Sequence, residues 1–290
     1  DDTTGVELWR TNGTSSNRVA DINLTAGASS YPYNFAAFGD WLYFQAADAT
    51  EGNELWRTNG TTTVLFADIS TTGVTGSSVP SNFTALGDWL YFAAIDSTTG
   101  RELWRTNGTI TERVADINSG AADSYPAEFT ALGDWLYFRA GDATTSQELW
   151  RTNGTSTTRV ADINANGTDG SYPYGLTRLG DYIYFNAGDG TTTKLRRVSA
   201  AGVVESSSPA GTNVFFGCMC ERPILTLNGR LFAPVTTDET GFEFAYLDER
   251  TFGLPGTNRD GSAWSTALVL LAAATAAAGL TVRLRGAPRS

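Results

Sequence analysis

Histidine is missing from this chain altogether, and that absence closes several routes at once. A Ser-His-Asp triad, a Cys-His nucleophile pair and any zinc site built on imidazole all need a ring nitrogen that the sequence does not hold. Cysteine is almost as scarce: Cys218 and Cys220, with Met219 between them, are the only two. A bridge across one intervening residue is geometrically awkward, and the pair lacks the second half of a zinc ribbon. Charge is thin as well. Asp, Glu, Lys and Arg make up 18 % of the 290 residues, below the usual share of about a quarter, so the surface is polar more through hydroxyls than through ions. What charge there is leans acidic, with a net value of −11. Nucleic acid and anionic lipid surfaces demand a basic footprint, so no nucleic-acid partner is expected.

What is present is a repeat. ELWRTNGT stands letter for letter at residues 7–14, 54–61, 102–109 and 148–155, with worn copies at 194–197 and 243–246. Successive starts fall 46 to 49 residues apart, a period of repeat architectures. Each period holds four short apolar runs. Run a is Glu-Leu-Trp-Arg-Thr; run b covers 18–22, 64–69, 113–117 and 159–163. Run c covers 34–38, 82–86, 128–132 and 175–179, and run d 41–44, 89–92, 135–138 and 182–185. Both alternating faces of run d are apolar (Trp89 and Tyr91 against Leu90 and Phe92), which predicts a strand covered on both sides. Asn-Gly between a and b, and Gly-Asp between c and d, predict tight hairpin turns.

Four antiparallel strands per repeat predict an all-β fold, a β-propeller of four-stranded blades with about five visible. The longest and most variable connection lies between b and c, so blade boundaries belong there and the order within a blade is c-d-a-b. The sequence opens in mid-repeat, as a processed product or a piece of a larger ring would. Strands a and b from residues 7–22 could complete the last blade, in competition with the strand near 242–247. Residues 206–223, containing Phe215 and Phe216, replace an ordinary crossover with a more apolar one, either a plug over one end or a ligand-contacting loop.

The propeller domain is assigned to residues 1–252, followed by a Gly/Pro/Asn/Asp linker at 253–262. Residues 263–282 are uncharged and would span roughly 30 Å as a helix, the thickness of a bilayer core. Arg283, Arg285 and Arg289 follow in the tail, 283–290. The positive-inside rule then expects a single-pass membrane protein with a cytoplasmic C-terminus and an extracellular propeller. A buried soluble helix or a cleaved sorting tail are the alternatives for this run.

The ELWRTNGT copies, with their Gly-Asp-Trp-Leu-Tyr-Phe partners, resemble the ELWxxDGT repeat family over residues 1–200 strongly and 200–250 weakly. The resemblance implies a propeller-like protein of cell surfaces or secretions and no particular reaction. Asn12, Asn59, Asn107 and Asn153 stand where that family has Asp. Each opens an Asn-Gly-Thr sequon, and Asn23, Asn82 and Asn166 open three more, so all seven are candidate glycosylation sites; Asn-Gly is equally a good turn without any glycan.

Three further features carry possible chemistry. Asp48, Asp96, Asp142 and Asp189 recur before strand a and are weak calcium candidates, although recurrence suits a turn-capping Asp better. No other cofactor is expected. Glu and Arg of the motif could pair across neighbouring blades as a structural bridge. Tyr31, Tyr33, Tyr125, Tyr172 and Tyr174 cluster with proline in the variable crossover and could stack on sugar rings, since loops on a rigid scaffold carry recognition. Together these features predict a binding, adhesion or surface-coat module that meets a protein or carbohydrate ligand at the cell surface and could self-associate. A glycan-active enzyme with channel carboxylates and a polymerising surface subunit are the alternatives.

Overall fold

Each repeat's four apolar runs become four antiparallel strands. The computed structural model describes residues 5–71, 76–165, 169–206, 225–227, 230–237 and 241–248, all of it strand, turn or loop. A hairpin of β1 (Leu8–Thr11) and β2 (Ser16–Ala20) comes first. Blade one follows as β3 (Tyr33–Phe38), β4 (Trp41–Asp48), β5 (Gly52–Thr58) and β6 (Thr63–Ala67). Blade two is β7 (Ser81–Leu86), β8 (Trp89–Asp96), β9 (Gly100–Thr106) and β10 (Thr111–Ala115). Blade three is β11 (Ala127–Leu132), β12 (Trp135–Asp142), β13 (Ser146–Thr152) and β14 (Thr157–Ala161). Blade four is β15 (Tyr174–Leu179), β16 (Tyr182–Gly188), β17 (Thr193–Ser199) and β18 (Val204–Ser206). A three-stranded sheet closes the described chain: β19 (Leu225–Leu227), β20 (Arg230–Thr237) and β21 (Gly241–Asp248). Within every sheet the strands pair in chain order, the meander expected of blades cut at the b–c connection. The fold is all-β and propeller-like.

The doubly apolar run d is the middle of the packing. Tyr43, Tyr91, Tyr137 and Tyr184, with Phe44, Phe92, Phe138 and Phe185, are all but completely buried. Alternate faces serve different neighbours. Tyr43 and Leu55 of blade one meet Leu90, Phe92 and Ala94 of blade two in one core, while Phe44, Ala46 and Trp56 pack the other way against Leu8 and Ile22 of the first hairpin. Blades two to three and three to four repeat the arrangement. Strands β3, β7, β11, β15 and β19 neighbour one another in series, so run c is the innermost strand.

Two expectations are corrected. The slot for strand a in the last sheet is filled by β21, which pairs with β20 from Arg230↔Asp248 to Thr237↔Gly241. The N-terminal hairpin therefore does not complete that blade. A hairpin partner only a few residues away closes a far shorter loop than one from the other end of the chain. The a–b connection is also longer than a two-residue turn: Thr58 pairs with Thr63 around the four residues 59–62. The c–d turn keeps its expected two residues, Gly87 and Asp88, between Leu86 and Trp89.

Candidate functional site

Antiparallel order sorts the connections into two ends. The b–c crossovers and the d–a turns share one, the crossover end; the a–b and c–d turns share the other, the hairpin end. The tyrosine and aspartate candidates lie at the first, and the motif asparagines Asn12, Asn59, Asn107 and Asn153 at the second.

At the crossover end the organising residue is the motif glutamate. Glu54 is fully buried and accepts the N–H of Ile69 at 2.9 Å, the N–H of Ser78 at 2.8 Å and the Ser78 hydroxyl. Glu7 holds Ile22 and Ser30 in the same way, Glu102 holds Ile117 and Ser124, and Glu148 holds Ile163 and Ser171. Each carboxylate thus bolts the end of strand b to the crossover that starts the next blade. Burial raises the carboxyl pKa of Glu54, Glu102 and Glu148, against the pull of these donors. The expected Glu–Arg bridge does not form, because the glutamate is satisfied by serine and backbone and the arginine points to the opposite end.

The bolt presents the next residue outward. Tyr31, Val79, Tyr125 and Tyr172 follow the four bolted serines, and all four have φ between 45° and 50°. Left-handed backbone is costly for a bulky residue; here the Glu-Ser bond on one side and proline on the other fix it. Tyr31, Tyr125 and Tyr172 remain 64 %, 57 % and 55 % exposed, and Tyr33 67 %. Tyr174 is half-buried. The crossover therefore carries rings facing solvent on a backbone whose direction is locked. Phe215 and Phe216 lie outside the described residues.

The four aspartates cap the d–a turns. Asp48 Oδ1 accepts the N–H groups of Thr50 and Glu51, Asp96 those of Thr98 and Thr99, Asp142 those of Thr144 and Thr145, and Asp189 those of Thr191 and Thr192. Burial alone would raise Asp96 and Asp142, but the threonine N–H and hydroxyl donors outweigh it and hold both below the usual carboxylate range. Lys194, then the turn threonines, do the same for Asp189. In all four turns these donors converge on Oδ1. Among the described residues no group of three or more acidic, Cys or His side chains is placed to hold a metal.

The hairpin end is built on the asparagines. Asn12, Asn59, Asn107 and Asn153 are exposed, and each turns Oδ1 onto the two N–H groups that follow its glycine. This leaves Nδ2, the atom a glycan would take, toward solvent. Asn23 and Asn82 differ: their Nδ2 groups donate to the carbonyls of Ser29 and Pro126. Asn166 lies outside the described residues. Motif arginines clamp the same end. Arg57 sits 4.2 Å from the ring centres of Trp41 and Phe66 and donates to the Gly108 carbonyl of the next blade at 2.9 Å; Arg10 and Arg151 reach across likewise.

Along the innermost strands of blades one to four, Glu128 is the single carboxylate, and its Oε2 accepts the N–H groups of Gly175 and Leu176. Sequence reasoning missed the bolt serines. Their signal was there, a Ser-x-Pro fixed 22 to 24 residues after each motif glutamate.

Comparison with known protein families and with curated proteins finds no match. Among solved structures the chain is similar to a prolyl endopeptidase (TM-score 0.50, 15 % identity, 82 % of this chain and 35 % of that one). It is also similar to a puromycin-hydrolysing peptidase of Mycobacterium tuberculosis (TM-score 0.51, 12 % identity, 85 % and 42 %). The chain thus spans well under half the length of these proteins, and at such identity the likeness is one of fold. Among the described residues no helix is long and apolar enough to cross a membrane; residues 263–282 lie outside them.

Proposed function

We propose that this chain is a single-pass membrane protein whose extracellular propeller acts as a binding or adhesion module. Its crossover end would meet a carbohydrate or protein ligand. The observation that carries the reading is the set of exposed tyrosines on left-handed backbone, each behind a buried Glu-Ser bolt. Rigid aromatic rings present contact area at low entropic cost, and Val79 shows that the bolt forms without a tyrosine behind it. Residues 263–282 would form the anchor and 283–290 its cytoplasmic tail. Glycans on the turn asparagines would cluster at the hairpin end and leave the tyrosine end clear.

The test is expression of the full chain in a eukaryotic cell, with membrane fractionation and glycopeptide mapping. The protein is expected in the membrane fraction, with glycans at Asn12, Asn59, Asn107 and Asn153 and little or none at Asn23 and Asn82. A soluble product, or glycans confined to Asn23 and Asn82, would sink the reading. For the ligand, glycan-array binding of the same material should fall when Tyr31 and Tyr172 are changed together to Ala.

Self-association is a second reading with its own observation. Trp9 is 46 % exposed where Trp56 is 9 % exposed, and among the described strands β1 pairs only with β2. Sedimentation of the chain and of Trp9→Ser would separate the readings: association that the substitution abolishes favours this one.

A further inference from the structure

The scaffold repeats, but one junction at the crossover end departs from it. Before the motif glutamate the copies carry Val6, Asn53, Arg101 and Gln147; before the bolt serine they carry Ser29, Ser77, Asp123 and Gly170. After the serine come Tyr31, Val79, Tyr125 and Tyr172. A cation, an anion and a phenol therefore coincide only between blades two and three. The one crossover that lacks the exposed tyrosine, at Val79, is the one next to it.

The geometry joins these departures. The Arg101 N–H donates to Asp123 Oδ1 at 2.6 Å, and its guanidinium Nη2 reaches the Val79 carbonyl at 3.1 Å and Ser81 Oγ at 2.6 Å. Arg101 thus spans the floor between Val79 and Tyr125. Its Nε and Nη1 hydrogens have no protein acceptor among the described residues, although the side chain is only half-buried. The Asp123 carboxylate lies close enough to the Tyr125 hydroxyl to raise its pKa, and the Tyr125 ring faces solvent from a fixed backbone (φ 50°). The residue whose carbonyl takes the guanidinium is thus the one that carries valine where the three sister crossovers, at nearly the same φ, carry tyrosine.

We propose that Arg101, Asp123 and Tyr125 form a subsite for one neutral sugar ring. Tyr125 supplies an aromatic face for the apolar side of a pyranose. Arg101 donates from Nε and Nη1 to a ring hydroxyl, and Asp123 accepts from the neighbouring hydroxyl; paired donor and acceptor fit a vicinal diol. The net charge of −11 and the Asp123 carboxylate both disfavour an anionic sugar. This subsite rests on the carbohydrate reading of the crossover end and narrows it to one junction.

The test measures binding of the full chain, in a sugar-free detergent, to hexasaccharides of glucose, xylose and mannose, with hexagalacturonate as the charged counterpart. Val79→Tyr is the decisive variant, because three sister crossovers already hold tyrosine at the same backbone angles and the change restores the repeat. At least one neutral hexasaccharide should bind, and Val79→Tyr and Arg101→Gln should each weaken it about tenfold, the worth of a hydrogen bond to a charged group. Ile110→Ala, at the hairpin end, should not. Binding that survives Val79→Tyr and Arg101→Gln but is lost with Tyr31 and Tyr172 would overturn the subsite and leave the tyrosine face standing. Binding of hexagalacturonate alone would overturn the neutral ligand. No binding to any of the four would overturn both the subsite and the carbohydrate reading.

Discussion

A buried carboxylate with three donors aimed at it is pulled in two directions. The N–H groups of Ile117 and Asn118 and the Ser124 hydroxyl favour the ionised form of Glu102, whereas loss of water favours the protonated one, and burial is the larger effect. The same holds at Glu54 and Glu148. Because their native pKa values lie above the unfolded ones, the native state holds these protons more tightly. Stability should therefore decline as pH rises from about 4.3 through the raised values. Asp96, Asp142 and Asp189 are depressed in the native state, so their contribution is lost as pH falls below about 3.9. Thermal unfolding should show a maximum in mildly acidic buffer, and the triple change of Glu54, Glu102 and Glu148 to Gln should flatten the slope on its alkaline side. Glu102→Gln alone turns an amide NH2 toward N–H donors. It should cost about 1–3 kcal/mol in urea unfolding, the cost of unpaired buried polar groups.

At the scale of the element, the turn and its clamp decide how neighbouring blades lock. Arg57 is held between two rings and hydrogen-bonded to the next blade's Gly108 carbonyl. Arg57→Lys keeps the charge and loses the flat stacking surface, so it should destabilise by about 0.5–2 kcal/mol, seen as a lower midpoint in chemical unfolding. Gly52 begins strand β5 with φ +78, and a Cβ there would run into the Gly76 carbonyl of the crossover. Gly52→Ala should cost more than about 1 kcal/mol, whereas Gly39→Ala, whose Cβ meets nothing, carries only the backbone penalty. A side-by-side melt of the two variants checks this. Both glycines look alike in sequence; only the crossover packed on Gly52 separates them.

Across the whole molecule, blades one to three each bury their strands against two neighbours, so stability is a sum of blade and interface contributions. Among the described residues the first hairpin has one such neighbour, blade one, through Leu8 and Ile22. Trp9→Ala should therefore cost less than about 1 kcal/mol, while Trp56→Ala, in the same motif position, should cost about 3–5 kcal/mol. Equal losses at the two tryptophans, measured by urea unfolding, would mean that Trp9 is covered in solution.

Period, strand order, the buried run d and the c–d turns could all be read from the chain, because each depends on residues a few positions apart and on a hydrophobic alternation that a half-buried strand imposes locally. The sequence also placed the tyrosines in an outward loop and the aspartates in turns. Only the tertiary structure decided what the motif glutamate and arginine do, since their partners lie in the crossover more than twenty residues on and in the turn of the next blade. It likewise decided that β21 and not the first hairpin fills the last sheet's third slot, a contest between two similar strands that loop length settles. The meeting of Arg101, Asp123 and Tyr125 beside Val79 belongs to the same class. Four residues scattered over two repeats become neighbours only when blades two and three stand side by side.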